Sequence, residues 1–289
     1  MIWIMALIPM FAWGSIGLVG SKIGGDPNQQ TLGMTFGAFL FSLVLFVVER
    51  PHMDWKIVLV GLISGIFWSV GQNGQFQGMR NMGVSVAVPI STGMQLFVNT
   101  IAGAVFFHEW RRTNQFIFGF IALILLVLGA YLTGFRDNSE QTKASNSSLN
   151  FAKGFRALLL STVGYAVYTI VINASKVETL SVILPLSVGM IIGATLFSIG
   201  KVKIEPVVFK NMITGVLWGI GNFFMLLAME KIGLALAFSF SQMGIIISTL
   251  GGIFLLGETK TKKEFRYALL GSLFVILGGV LLGYVKSIG

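Results

Sequence analysis

The sequence predicts an all-α membrane protein of ten transmembrane helices, arranged as two inverted five-helix repeats. Apolar residues make up 55% of the 289 residues, whereas charged residues make up only 11%. A soluble domain carries about 25% charged residues, because its surface must stay hydrated. This chain lacks the charge to hydrate its surface, so most of that surface must face lipid. Ten long apolar runs and an internal similarity between the two halves predict the number of helices and their arrangement.

Each predicted helix is an apolar run near the length of about 20 residues that spans a bilayer. Short connections that hold nearly all the charged residues separate the runs. The N-terminal run has no positively charged leader and no clear cleavage site, so it is expected to be a retained first helix. The predicted spans are 2–21, 32–49, 57–79, 84–107, 113–134, 155–174, 180–200, 209–229, 233–256 and 265–285.

The two halves align at an offset of about 150 residues. Trp68 and Gln72 align with Trp218 and Asn222, and Glu109 aligns with Glu258 at an offset of 149. The predicted units are a first five-helix repeat (1–134), a hydrophilic linker (135–154) and a second five-helix repeat (155–289). Because five is odd, the second repeat enters the membrane from the opposite side. Inverted repeats of this kind are typical of secondary transporters.

The positive charge fits a membrane protein better than a nucleic-acid-binding protein. The net charge is +9, but the cations lie in short loops and form no basic stripe. The loops after spans one, three, five, seven and nine hold thirteen Lys and Arg residues, and the other loops and the C-terminus hold seven. Cytoplasmic loops are enriched in these residues, so both termini are predicted to lie outside the cytoplasm.

Neutral polar side chains within the spans are the candidate binding residues. A buried amide costs several kcal/mol unless it is hydrogen-bonded, so these groups should face partners or a wet cavity. Many recur at helical spacing, for example Ser91, Gln95 and Asn99 on one face of span four. The candidates for substrate binding are Trp13, Trp68, Gln72, Gln75, Ser91, Gln95, Asn99, Thr169, Asn173, Trp218, Asn222, Ser239 and Gln242.

This lining suits a neutral polyol, because amides both donate and accept hydrogen bonds as sugar hydroxyls do. The alternative is that the same groups hold helices together, a common use of polar residues in membranes. No catalytic pattern is present in the spans, and neither a metal nor a cofactor is expected. A channel is also possible in principle, but no repeated charged rings are visible.

Several motifs together resemble the glucose/ribose porter family of the drug/metabolite transporter superfamily. They are Ala12-Trp13-Gly14-Ser15, the run Gly71-Gln72-Asn73-Gly74-Gln75, Pro89-Ile90-Ser91-Thr92-Gly93, and the Glu109 and Glu258 ends of spans four and nine. The resemblance covers essentially the whole chain. It implies a multi-pass protein of the bacterial cell membrane that takes up glucose or ribose by alternating access, coupled to protons.

Proton coupling is the expectation that the residues support least. A coupled carrier uses a titratable group within the membrane, but His108, Glu109 and Glu258 lie at the ends of spans. They are candidates for a gate or for proton coupling, and the two glutamates could instead cap helices or pair with Arg112 and Lys260. An uncoupled sugar facilitator and a drug or metabolite exporter of the same superfamily remain alternatives.

Overall fold

The computed structural model describes residues 2–137, 149–232 and 234–288, and within them it is all-helical. Among these described residues, ten segments are long and apolar enough to span a membrane, which confirms the predicted number. Part of the predicted linker, residues 138–148, lies outside the described residues. The helices are α1 (Ile2–Ile23), α2 (Pro27–Glu49), α3 (Trp55–Met82), α4 (Val84–Val105), α5 (Thr113–Thr133), α6 (Phe151–Ser175), α7 (Thr179–Ser198), α8 (Pro206–Lys210), α9 (Met212–Ile232), α10 (Leu234–Gln242), α11 (Gly244–Phe254) and α12 (Lys262–Ser287).

Helix α2 begins five residues earlier than the hydropathy predicts. The Asp26 carboxylate accepts hydrogen bonds from the backbone N–H groups of Asn28 and Gln29, and the Gln29 side chain accepts one from the Asp26 N–H. This capping box satisfies N–H groups that the first helical turn leaves unpaired. The first turn is polar, so an apolar-run criterion omits it although the capping signal is present in the sequence.

Span nine is two helices, where the sequence predicts one from 233 to 256. The first ends at Gln242 and the second begins at Gly244. At the junction the backbone hydrogen bonds join residues three apart, as in a 3-10 helix, instead of four apart. They run from the Met243 N–H to the Phe240 carbonyl and from the Ile246 N–H to the Met243 carbonyl. Proline is not the cause. Pro89 and Pro185 lie inside other helices, α4 and α7, which are continuous.

Glycines allow the closest helix contacts, and related glycines do so in both halves. A Cβ on Gly65 of α3 would lie 2.1 Å from the Leu186 carbonyl oxygen of α7. A Cβ on Gly215 of α9 would lie 1.9 Å from the Met34 carbonyl oxygen of α2. Membrane helices commonly pack closely at small residues, so these glycines form packing surfaces between the two halves.

The helix contacts of the two halves follow matching patterns. Helix α3 packs against α6 and α7, just as α9 packs against α1 and α2, while α5 and α12 pack against each other. With ten spans joined end to end, the start of α1 and the end of α12 lie at one end of the bundle, here named the terminal end. The other end holds the connections α1–α2, α3–α4 and α11–α12 and is named the linker end. The pattern is consistent with an inverted repeat, which stays a prediction.

Candidate functional site

A cavity of about 570 Å³ opens at the terminal end, and both halves contribute to it. Its volume lies within the range of about 300–1,000 Å³ that small-molecule sites occupy. The walls come from α4, α5, α6, α10, α12 and the segment that joins α4 to α5. They combine apolar side chains with neutral polar and charged ones. The lining residues are Leu96, Asn99, Thr100, Ala102, Gly103, Phe107, Glu109, Trp110, Arg111, Gln115, Thr169, Ile170, Asn173, Phe238, Leu282, Gly283, Val285 and Lys286.

Three of the predicted binding residues line this cavity: Asn99, Thr169 and Asn173. The Asn99 carbonyl oxygen Oδ1 is buried and has no hydrogen-bond partner among the described residues. Thr169 donates its hydroxyl to the Tyr165 carbonyl oxygen at 2.8 Å, while the Asn173 side chain is exposed to the cavity mouth. A ligand hydroxyl could therefore supply the donor that Asn99 lacks.

Four other predicted residues form a hydrogen-bonded chain that joins α6, α3 and α4. The Tyr165 hydroxyl donates to Gln72 Oε1 at 2.7 Å, and Gln72 Nε2 donates to Gln75 Oε1 at 3.4 Å. Gln75 Nε2 and Gln95 Nε2 then both donate to Ser91 Oγ at 3.0 Å. None of these side chains lines the cavity itself. The chain ends at Gln95, one turn of α4 before Asn99, so it leads towards the cavity.

The predicted tryptophans meet in a buried aromatic cluster. The ring centroids of Trp68 and Trp218 lie 5.4 Å apart in an edge-to-face arrangement, and Trp68 also contacts Tyr165 at 6.1 Å. Trp13 Nε1 and Asn222 Nδ2 both donate to the Trp218 carbonyl oxygen, at 3.4 and 2.7 Å. Since Trp68 and Trp218 are only 3% and 7% exposed, the aromatic faces are covered by protein. These four predicted residues do not line the cavity.

Helix α10 carries the two remaining candidates, Ser239 and Gln242. Gln242 is 9% exposed and packs its stem against Gly279 of α12. Its Nε2 donates to Ser241 Oγ at 3.4 Å, but its buried Oε1 has no partner among the described residues. Ser239 is half-buried on the same helix. Neither residue lines the cavity, although Phe238 of this helix does.

The two repeat-related glutamates have different surroundings. Glu258, half-buried at the linker end, accepts hydrogen bonds at the start of α4 from the backbone N–H groups of Val84 and Ser85 and from the Ser85 hydroxyl. Glu109 is exposed at the cavity mouth, beside the exposed His108. His108 adopts a left-handed backbone conformation with φ +50°. Within the described ranges neither glutamate forms an ion pair with Arg112 or Lys260; the ion pair present there joins His52 and Asp54.

Gln115 and Ser85 are positions that the sequence analysis missed. Gln115 is 1% exposed and donates to the Val285 and Glu109 carbonyl oxygens at 3.2 and 3.3 Å. Its Oε1 accepts from the Arg111 and Arg112 N–H groups, so the side chain fixes the segment that carries Glu109. A glutamine in the first turn of α5 is a recognisable capping signal. Ser85 has no comparable signal, because its partner lies 173 residues away.

These features define the class of the protein: a multi-pass helical membrane protein with a cavity of mixed apolar and polar lining between its halves, as in a secondary transporter. The sequence matches the sugar transport protein family over residues 4–285, and the chain belongs to this family. It is 62% identical to an Enterococcus faecalis protein named "Putative sugar uptake protein", covering 98% of this chain and 99% of that one. Relatives with the same type of name from Streptococcus agalactiae and Streptococcus pyogenes are 54% identical over 98% of both chains.

A solved crystal structure has a similar fold at low sequence identity. The TM-score is 0.59 at 16% identity, and the match covers 99% of this chain and 97% of the other. At this identity the likeness establishes the fold alone.

Proposed function

We propose that this protein takes up a neutral monosaccharide of the glucose or ribose class across the bacterial cell membrane by alternating access. The observation that carries the proposal is a cavity between the halves that is lined by Asn99, whose buried side-chain oxygen has no partner among the described residues, together with Thr169 and Asn173. Amides and hydroxyls of this kind complement sugar hydroxyls. The relatives described above come from bacteria and are named for sugar uptake, which supports a sugar as the substrate and a bacterial membrane as the location.

The orientation of the protein in the membrane decides which side the open cavity faces. The loops of the linker end hold thirteen Lys and Arg residues against seven for the terminal end, so the linker end is cytoplasmic by the positive-inside rule. The cavity at the terminal end then faces outwards, ready to accept sugar. The linker end, where Glu258 binds the start of α4, is closed in the same state.

Proton coupling is part of the proposal, with Glu109 as the coupling group. Glu109 is the carboxylate among the residues that line the cavity, and no donor of the described residues binds it. Its position at the cavity mouth places the carboxylate between the outside solution and the proposed sugar site. We expect Glu109→Gln to lose accumulation driven by a pH gradient while keeping the exchange of labelled for unlabelled sugar.

The test is transport by the purified protein in liposomes. Entry of labelled glucose, ribose and rhamnose is measured with and without an inward proton gradient, and with the gradient reversed. Saturable entry that the gradient accelerates supports a proton-coupled sugar carrier. Sugar entry that is equal with and without the gradient indicates an uncoupled facilitator. Sugar entry only with the reversed gradient, in which protons leave the liposome as sugar enters, indicates an exporter that exchanges its substrate for protons. Failure of every sugar to enter would refute the proposal.

Alanine variants locate the sugar-binding residues within this assay. Asn99→Ala is expected to lower sugar entry by about tenfold or more, the effect of losing about 1.4 kcal/mol of binding. Gln72→Ala and Gln95→Ala, which lie outside the cavity, are expected to lower it by breaking the hydrogen-bonded chain that leads to Asn99. Asn81→Ala is the matched control, because Asn81 Nδ2 bonds the Gln77 carbonyl within α3 at the linker end. If all three variants transport as well as the control at equal expression, the proposed site is wrong.

A further inference from the structure

The contact between Glu258 and the start of α4 joins the two halves at the linker end. Both carboxylate oxygens are engaged, by the N–H groups of Val84 and Ser85 and by the Ser85 hydroxyl. Gly83 precedes the helix at φ +84°, and a Cβ there would lie 2.8 Å from Glu258 Oε2. Glycine is therefore required on two grounds, its backbone conformation and the close approach of the carboxylate.

The contact between Glu258 and α4 is strong, but it can also be broken reversibly. The unpaired N–H groups and the dipole of a helix N-terminus attract a carboxylate, and charged hydrogen bonds are roughly twice as strong as neutral ones. The contact consists of hydrogen bonds, so the same atoms can separate when water molecules replace the protein partners. A crevice of about 300 Å³, lined by Glu258, Arg80 and Ser21, already lies beside the contact at this end.

Glu109 has the same local structure without the contact. The Glu109 N–H donates to the Gly103 carbonyl at 3.1 Å, and the Glu258 N–H donates to the Gly252 carbonyl at 3.1 Å. The carboxylates lie 2.8 and 3.1 Å from a Cβ placed on Gly103 and Gly252. Only the surroundings differ, since Glu109 is exposed at the open cavity and no described residue donates to its carboxylate.

We infer that the Glu258–Ser85 contact is the gate that keeps the linker end shut while the cavity is open at Glu109. In the opposite state Glu258 releases α4, and Glu109 binds the start of α10, the helix that corresponds to α4 in the second half. The two carboxylates thus exchange roles, and one end is always closed. This inference rests on the proposed alternating access and assigns its gate to Ser85 and Glu258.

Cysteine labelling can test the gate directly, because the chain has no cysteine of its own. Ala87→Cys reports on the linker end: Ala87 is fully buried on α4, between Ser85 and Ser91. Thr100→Cys reports on the open cavity. Each reporter is labelled with a membrane-impermeant maleimide in lipid nanodiscs, where both faces are accessible, and without sugar.

We expect fast labelling at position 100 and slow labelling at position 87 in the otherwise unchanged protein. Adding Glu258→Ala should raise the labelling rate at position 87 by about tenfold, the shift that a loss of about 1.4 kcal/mol produces. The rate at position 100 should fall, because the cavity closes when the linker end opens. Ser85→Ala, a milder change, should move both rates in the same direction by less.

The matched control is Glu178→Ala. Glu178 Oε2 accepts from Ser181 Oγ at 2.9 Å, a similar Glu–Ser contact, but within the first turn of a single helix. Its removal should leave both labelling rates unchanged. If position 87 stays slow in folded Glu258→Ala and Ser85→Ala proteins, or if both reporters speed up together as in general loosening, the gate is refuted. Labelling needs no sugar, so this result is independent of whether the sugar assay succeeds.

Discussion

Replacing Gly65 by alanine tests whether the α3–α7 contact depends on the absence of a side chain. The added Cβ would lie 2.1 Å from the Leu186 carbonyl oxygen and 2.6 Å from the Met190 nitrogen. Both are backbone atoms of α7, which cannot swing aside as a side chain can. Contact distances below 3.0 Å essentially never occur for a real Cβ, so the helices must separate by about 1 Å.

The expected cost follows from overpacking. Forcing an extra carbon into a packed contact costs about 1–3 kcal/mol. This outweighs the gain of about 0.5–1 kcal/mol that alanine brings over glycine inside a helix. Gly215→Ala should behave alike, because its Cβ would lie 1.9 Å from the Met34 carbonyl oxygen. We expect both variants to lower the thermal unfolding midpoint in detergent by several degrees.

Gly93→Ala is the matched control on α4. A Cβ at this position meets its nearest atom, the Leu126 carbonyl oxygen, at 3.5 Å, an ordinary contact distance. Only the helix-propensity gain remains, so its unfolding midpoint should stay equal or rise. Purified variants are compared by fluorescence-detected unfolding at one detergent concentration. If Gly65→Ala and Gly93→Ala unfold at the same temperature, steric exclusion does not explain why glycine occupies the close contact between α3 and α7.

Two further predictions concern the ends of the bundle. Gln115→Leu should destabilise the protein by about 1–3 kcal/mol, because it leaves buried backbone groups such as the Val285 carbonyl unpaired, whereas the exposed neighbour Asn114→Leu should have little effect in the same unfolding assay. Burial lowers the pKa of Lys260 from 10.5 to about 8, so the charged lysine destabilises the fold fully below pH 8 and the penalty fades as the pH rises towards 10.5. Lys260→Met should therefore raise the unfolding midpoint more at pH 7 than at pH 10; an equal gain at both would contradict the burial argument.

The spans could be predicted from the sequence because the bilayer sets their length and apolarity. The ten apolar runs correspond to ten segments of the described residues that are long and apolar enough to span a membrane, since every backbone group in lipid must be bonded within a helix. Hydropathy could not locate the helix ends and breaks that are set by hydrogen bonding. The start of α2 depends on the cap that Asp26 provides. The break at Met243, between α10 and α11, depends on a local change in backbone hydrogen bonding, and neither helix contains a proline that would have signalled it.

The polar residues of the spans could be listed from sequence, but their partners could not. Helical spacing placed Gln72 and Gln75 on one face of α3, and the structure joins them in one hydrogen-bonded chain. Spacing within one helix says nothing about which neighbouring helix supplies the next group. The Tyr165 hydroxyl and Ser91, from two other helices, complete the chain. Pairings of this kind depend on the three-dimensional packing, as does the bond between Glu258 and Ser85.

Hydrogen-bonding capacity separates the candidate residues in a way that residue type alone cannot. Asn222 donates to the carbonyl of its own helix, and Gln72 accepts from Tyr165, so these amides already have protein partners. Asn99 Oδ1 and Gln242 Oε1 are buried without partners among the described residues, a state that costs about 1–3 kcal/mol for each group. A sugar hydroxyl that donates to such an oxygen recovers this free energy on binding. In the proposed function Asn99, the unpaired amide that lines the cavity, is therefore where a polyol would gain most, whereas the paired amides hold the surrounding helices in position.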